Sequence, residues 1–228
     1  MSNYTIFVEN ESGTLKAYAI VPDRPEVSGH DVGQVWSAVI ATAHVPQGGK
    51  AKFVIPSNIS AAQGASEGTL SEGVSVRPAQ IKPVRLGRVN SDGAITYGQT
   101  VRFDTMDAGG GEKYPSFFQG SLADRGGSNA FAVETANSFT PRDVHMGNWF
   151  VGFSVQINGS DKIAACFMPS PGQTYQVKPS NTYWVVAQTM RQGEVVDPAH
   201  IEEGAIKVEM RESNITVVAS YDGTLRIK

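Results

Sequence analysis

The chain has 228 residues, of which 40% are hydrophobic and 18% charged, and its formal net charge at pH 7 is -3. This length is enough to bury a substantial core, and the lysines and arginines are scattered rather than clustered. Scattered positive charges form no basic patch that could bind a phosphate backbone or an anionic lipid surface. This argues against nucleic-acid and membrane partners. The 24 glycines and 12 prolines suit many turns between short strands.

The start of the chain enters a strand pattern at once, without a basic segment, an apolar run or a small-residue cleavage site. No stretch approaches the roughly 18 apolar residues that a membrane span needs. We therefore expect a cytoplasmic protein. The single cysteine, Cys166, lies inside an apolar strand pattern and is expected to be a buried thiol rather than a nucleophile.

The first part of the chain is predicted to form short strands. Residues 4–9 and 15–21 alternate on either side of a polar turn, which predicts an opening hairpin. Residues 34–43 fit a buried strand or a short helix, and their β-branched content favours the strand. Residues 50–55 alternate clearly. Residues 56–73 are rich in serine, alanine and glycine, which indicates a surface loop or a short weak helix.

The middle of the chain contains further short strand candidates and then its most irregular stretch. Asp92-Gly93 predicts a hairpin turn. Residues 107–129 hold many glycines together with three aromatic side chains, and we expect a long glycine-rich loop.

The clearest strand signal begins at Trp149, where apolar and more polar residues alternate up to Ile157. The pattern predicts a long strand with one buried and one more polar face. Asn158-Gly159 then tolerates positive φ at both centres of a type I′ turn, so residues 162–168 should return as its hairpin partner. Further strands up to residue 189 suggest an antiparallel meander. Residues 215–220 and 224–227 predict a final hairpin.

This pattern predicts an all-β fold: an antiparallel β-sandwich or flattened barrel with long glycine-rich loops and little helix. We expect a single domain over residues 1–228. The pattern leaves open whether it contains two related, hairpin-rich halves, at about 1–104 and 130–228.

Candidate catalytic residues are Asp143 and His145, which precede the long strand. In an extended segment, residues two apart share a face, and a carboxylate beside an imidazole can fix its tautomer and raise its basicity. The pair would then serve as a general base. The alternative is that both are ordinary exposed residues of a turn, and no nucleophile-elbow sequence completes a triad.

Candidate ligand-binding residues are Tyr114, Phe117 and Phe118 of the glycine-rich loop, together with Trp149. Aromatic residues in a loop have no core of their own to fill, so they are able to line a pocket, or else to cap the end of a sandwich. The four histidines lack metal-ligand spacing, the calcium-loop pattern is absent, and no phosphate-binding loop is recognisable. The sequence thus predicts no metal and no cofactor.

Two functions fit these features. The first is a soluble β-sandwich binding module for a small apolar ligand or a protein partner. The alternative is a cofactor-independent isomerase or cyclase that acts on a hydrophobic small molecule by proton transfer from Asp143 and His145. The sequence leaves open whether the protein is an enzyme and whether it forms homo-oligomers.

Overall fold

Strands dominate the computed structural model, which describes residues 3–107, 109, 112–201 and 204–228. They account for 55% of it and helices for 5%. The helical elements are α1 (Pro141–Gly147) and a 3-10 turn at Pro198–His200. The strands are β1 (Asn3–Asn10), β2 (Lys16–Pro22), β3 (Glu26–Ser28), β4 (Trp36–Ala38), β5 (Ala41–Val45), β6 (Lys50–Pro56), β7 (Ile59–Ser66), β8 (Val76–Val84), β9 (Arg88–Val89), β10 (Ile95–Thr96), β11 (Thr100–Asp107), β12 (Lys113–Phe117), β13 (Phe131–Thr135), β14 (Trp149–Ile157), β15 (Ser160–Phe167), β16 (Thr174–Lys178), β17 (Thr182–Val186), β18 (Val195–Val196), β19 (Ala205–Glu209), β20 (Asn214–Ala219) and β21 (Leu225–Ile227).

These strands form five sheets within the described part of the chain. Four are large, with the strand orders β21-β20-β1-β6, β12-β11-β13-β16-β3, β18-β4-β15-β14-β7-β8 and β19-β17-β2-β5, and β9 and β10 form a separate ribbon. Most pairings are antiparallel, whereas β1 with β20 and β11 with β13 are parallel. The prediction of an all-β, sandwich-like fold with little helix is confirmed.

One cluster of buried side chains joins the four large sheets. Ile6, Tyr18, Phe103 and Val151 each come from a different sheet and all belong to it. Each large sheet also pairs strands from the ranges 1–104 and 130–228, for example β1 with β20 and β7 with β14. The single-domain organisation stays a prediction, but the two ranges are interleaved within the sheets.

The hairpin of β14 and β15 forms as predicted. Asn158 and Gly159 have φ values of 49° and 81°, and Ile157 pairs with Ser160 across the turn. The prediction that one face of β14 is more polar and less buried is wrong, because the strand is buried on both faces. Val151 belongs to the main core, whereas Phe150 belongs to a second cluster on the opposite face, together with Leu70, Val76 and other side chains.

The predicted opening hairpin is also wrong, because β1 and β2 lie in different sheets. The chain turns a corner between β1 and β2 at Asn10, whose side chain is fully buried. Its side-chain amide donates to the carbonyl oxygens of Thr14 and Val45, each at 2.7 Å, and its side-chain oxygen accepts from the N–H and the hydroxyl of Ser12. These bonds satisfy a corner that would otherwise bury unpaired backbone groups. The predicted meander likewise ends after its first hairpin, because β16 and β17 join two other sheets.

Two predicted loops contain strands. Residues 59–66 form β7, an interior strand between β14 and β8, although their alanines and glycine have low strand propensity. Their small size is what the position requires, because a Cβ on Gly64 would lie 2.1 Å from the carbonyl oxygen of Arg77. The predicted loop 107–129 contains β12, and residues 108, 110 and 111 of it lie outside the described residues.

We predict that Asn10→Ala lowers the free energy of unfolding by about 3 kcal/mol, because it removes the hydrogen bonds of a fully buried amide and leaves the carbonyl oxygen of the buried Val45 without that donor. Urea denaturation followed by tryptophan fluorescence measures the change. The matched control is Asn214→Ala at an exposed position, for which we expect a change within about 0.5 kcal/mol. Equal losses in the two variants would refute the role assigned to the Asn10 corner.

Candidate functional site

Helix α1 carries the two predicted catalytic residues and has well-defined ends. Thr140 is its N-cap: the Thr140 hydroxyl accepts from the Asp143 N–H, and the Asp143 carboxylate accepts from the Thr140 N–H. This reciprocal pair is a capping box, and Pro141 suits the first helical turn. Asn148 ends the helix with a φ of 50°. The expectation of an extended segment at residues 142–145 is therefore wrong.

The helix separates Asp143 from His145, since residues two apart point to different sides of a helix. Oδ2 of Asp143 lies 2.7 Å from the Thr140 nitrogen and 2.9 Å from its hydroxyl, and the Lys113 ammonium is 3.6 Å away. The hydrogen bond from the Thr140 backbone, with further help from its hydroxyl and from Lys113, lowers the pKa of Asp143. His145 is exposed. In the described part of the chain no hydrogen bond joins these two residues, and their catalytic role stays a prediction.

A cleft of about 490 Å³ lies between α1 and β12. We call it the α1 cleft; it is lined by Glu112, Lys113, Tyr114, Asp143, Met146, Gly147 and Trp149. It brings together three of the predicted site residues, namely Tyr114, Asp143 and Trp149. Its walls carry an ammonium and two carboxylates, and the Tyr114 hydroxyl donates to Glu112 at 3.0 Å. That bond to the Glu112 carboxylate raises the pKa of Tyr114.

The other predicted aromatic residues lie elsewhere. Phe117 is buried in the main core, and its N–H donates to the side chain of Gln80. Phe118 is 40% exposed, with the Arg102 guanidinium 5.4 Å from its ring centre. Trp149 is mainly a core residue, because its ring packs against Phe139 with 6.3 Å between centres. Core packing thus describes Phe117 and most of Trp149.

A larger concave region lies at another part of the surface and is centred on Leu86. Three adjoining depressions, of about 540, 170 and 490 Å³, all have Leu86 in their walls. The smallest depression shares lining residues with both of the others. It has residues 179–181 in common with the first and Ser57 and Ile59 in common with the third. We call these three depressions together the Leu86 groove.

The middle of the Leu86 groove is apolar. Its lining includes Tyr4, Ile55, Ile59, Tyr183 and Met210, of which Ile55, Tyr183 and Met210 are almost fully buried. Tyr4 pairs with Ile55 across β1 and β6, so one wall is part of a regular sheet. Burial, and to a smaller extent the neighbouring Tyr4, raises the pKa of Tyr183. The floor is therefore set by side chains that the core already holds in place.

The two ends of the groove differ in charge. Arg24, Glu26 and Lys178 line one end together with Asn129. The other end is lined by Asn58, Ser60, Gln156 and apolar neighbours, and every described residue in its lining is uncharged. We refer to them as the charged end and the amide end.

Close contacts between backbones place Leu86. A Cβ on Gly87 would lie 2.1 Å from the carbonyl oxygen of Gly127, and a Cβ on Gly98 would lie 2.1 Å from that of Ala130. The N–H of Gly87 donates to Ala130 and the N–H of Gln99 to Arg85. The segment before β9 is thereby fastened to the residues that lead into β11 and β13 of the five-stranded sheet, which fixes the position of Leu86 in the groove.

Sequence reasoning missed this groove because its walls come from distant segments, around residues 4, 24–26, 55–60, 83–86, 129, 156, 178–183 and 210. None of these segments carries a motif. The only local signal was the isolated apolar Leu86 between Arg85 and Gly87, which does not distinguish a ligand contact from core packing.

Within the described residues, no group of three or more histidine, cysteine, aspartate or glutamate side chains is placed to hold a metal ion. No described helix has the length and apolar character needed to cross a membrane. Cys166 is fully buried, and this burial raises the pKa of its thiol.

Fold and surface together define an all-β protein of interleaved sheets with an apolar-floored groove between strand ends. The chain belongs to the RhiA family, whose model matches residues 1–228. A search of curated proteins and a search of solved structures found no match to it.

We predict that Thr140→Ala lowers the free energy of unfolding by about 1 kcal/mol, because it removes the hydroxyl of the capping box of α1. Urea denaturation at pH 7 measures this loss. Thr140→Ser is the matched control, since it keeps the hydroxyl and should retain most of the stability. A serine variant as unstable as the alanine variant would show that the cap is not what Thr140 contributes.

Proposed function

We propose that this protein is a binding module for a small apolar ligand, and that the Leu86 groove is where the ligand binds. The observation that carries this proposal is the apolar middle of the groove, flanked by polar residues at both ends. Pockets for small molecules are typically concave and mostly apolar, with a few polar groups that set orientation, and their volumes are about 300–1,000 Å³.

The physical basis of binding would be the removal of apolar surface from water, which contributes about 25 cal/mol per Å². Ile55, Tyr183 and Met210 are held by the core, so little side-chain freedom would be lost on binding. Leu86 is only half-buried and would be covered further by a ligand. A preformed floor with a half-buried apolar side chain beside it favours binding without a large rearrangement.

The α1 cleft supports the proposal less well. Glu112, Lys113 and Asp143 place formal charges in its walls, and an apolar ligand would have to desolvate them. The proton-transfer alternative has no comparable support, because the Asp143 carboxylate is engaged by Thr140 and His145 does not line the cleft.

We predict that Ser57→Trp and Leu86→Glu each weaken the binding of the neutral apolar dye Nile red by at least about tenfold. The indole would fill the groove from its exposed rim, and the carboxylate would place a charge against an apolar floor. Fluorescence titration measures the dissociation constants. The matched control is Met146→Glu, which adds the same charge to the α1 cleft, and we expect it to bind as the wild type does.

Circular dichroism melting of each variant separates loss of binding from loss of fold, and Ser57, being exposed, is the safer of the two positions. If neither groove variant alters the affinity, the groove is not the binding site. If Met146→Glu weakens binding instead, the α1 cleft holds the ligand and the proposal is wrong.

A further inference from the structure

We infer that the ligand of the Leu86 groove is a single-chain amphiphile with a terminal carboxylate, bound with its carboxylate at Lys178 and its aliphatic chain across Leu86. This inference rests on the proposed function and adds to it the chemical class and the orientation of the ligand. Two observations support it: the two ends of the groove differ in charge, and the ion pair between Lys178 and Glu26 at the charged end is exposed to water.

The charges of the groove are confined to one end. Arg24 and Lys178 supply two cations there and Glu26 supplies one anion, whereas the middle and the amide end have uncharged linings in the described chain. A ligand with one anionic terminus and an apolar body matches this order. A cationic ligand would have to place its charge beside two cations. A doubly charged ligand would have to place one of its charges against the apolar middle.

The two cations differ in how firmly they are already paired. The Arg24 guanidinium is bonded to Asp197, whose side chain is only 15% exposed and which also accepts from the side chain of Gln34. Arg24 is therefore held in place by an anion of the protein itself. Arg24 would therefore attract the ligand carboxylate from a distance rather than bind it directly.

Lys178 is different because its partner is exposed. The ammonium of Lys178 lies 2.9 Å from Oε2 of Glu26, and the side chains are 47% and 70% exposed. The two residues face each other across β16 and β3 at the rim of the groove. Exposed ion pairs of this kind are weak, because water competes with both groups. A ligand carboxylate anchored by its chain in the groove can replace Glu26 as the partner of Lys178.

The far end of the aliphatic chain would lie at the amide end. Once the carboxylate is at Lys178, a chain that follows the groove passes Leu86 and the floor at Ile55 and Ile59. It then reaches a region lined by Val84 and Pro83 together with the amides of Asn58 and Gln156. Chain length would therefore affect affinity, since longer chains bury more apolar surface along this path.

The test compares decanoate with decan-1-ol as competitors of Nile red on the full chain at pH 8, where the acid is ionised. We predict that the wild type binds decanoate about fivefold more tightly than decanol, as expected for one added ion pair partly shielded from water. Lys178→Gln should remove this preference, measured as the ratio of the decanol and decanoate dissociation constants on that same variant. Lys16→Gln, which removes an exposed lysine at the start of β2, is the matched control and should keep the preference.

Glu26→Gln provides the opposite change. It removes the anion that competes for Lys178, so the ratio of the decanol to the decanoate dissociation constant should rise about twofold above that of the wild type. The preference for decanoate should also shrink as sodium chloride is raised, because exposed charges are screened.

The outcomes separate the two proposals. Equal affinities for decanoate and decanol in the wild type, or a preference that survives Lys178→Gln, would overturn the carboxylate inference and leave apolar binding in the groove intact. Failure of both compounds to displace Nile red, with no effect of Ser57→Trp on the dye, would overturn the proposed function and the inference together.

Discussion

Burial of β14 on both faces is the constraint on which the rest of this structure depends. A strand that carries Phe150 towards one cluster and Val151 towards another needs cover on both sides. Its neighbours must also approach closely, and a Cβ on Gly152 would lie 2.0 Å from the carbonyl oxygen of Ala165. Small residues beside β14, such as Ala61 and Ala62 of β7, follow from the same need for close packing.

The Leu86 groove is a consequence of this packing rather than a separate feature. Because the sheets share one core, their strand ends meet at the surface, and the groove lies where β1 and β17 begin and β6 ends, beside the segment before β9. Glycine contacts at Gly87 and Gly98 hold that segment against the five-stranded sheet. The apolar floor is the outer margin of the core, whereas the charged end comes from exposed residues of β3 and β16.

The predictions that succeeded rest on local chemistry. The Asn158-Gly159 turn and the closing hairpin of β20 and β21 depend on a few consecutive residues, and their conformations follow from those residues. Most failures concern partners distant in sequence. Asn10 turns the chain into another sheet through a bond to Val45, and the alanine-rich β7 becomes a strand because β8 and β14 pair with it. Capping by Thr140 was a local signal that sequence reasoning overlooked.

For the candidate site, the sequence identified Tyr114, Asp143 and Trp149, which do line one cleft, but it could not identify the Leu86 groove. By itself the sequence determined the all-β class, the strand-rich composition and the tightest turns, because alternation and turn residues act over a few positions. Only the tertiary structure decided which strands share a sheet, that both faces of β14 are covered and which distant residues meet at Leu86. The physical reason is that apolar burial is not directional: many pairings satisfy the same alternating pattern, and only packing of the whole chain selects among them.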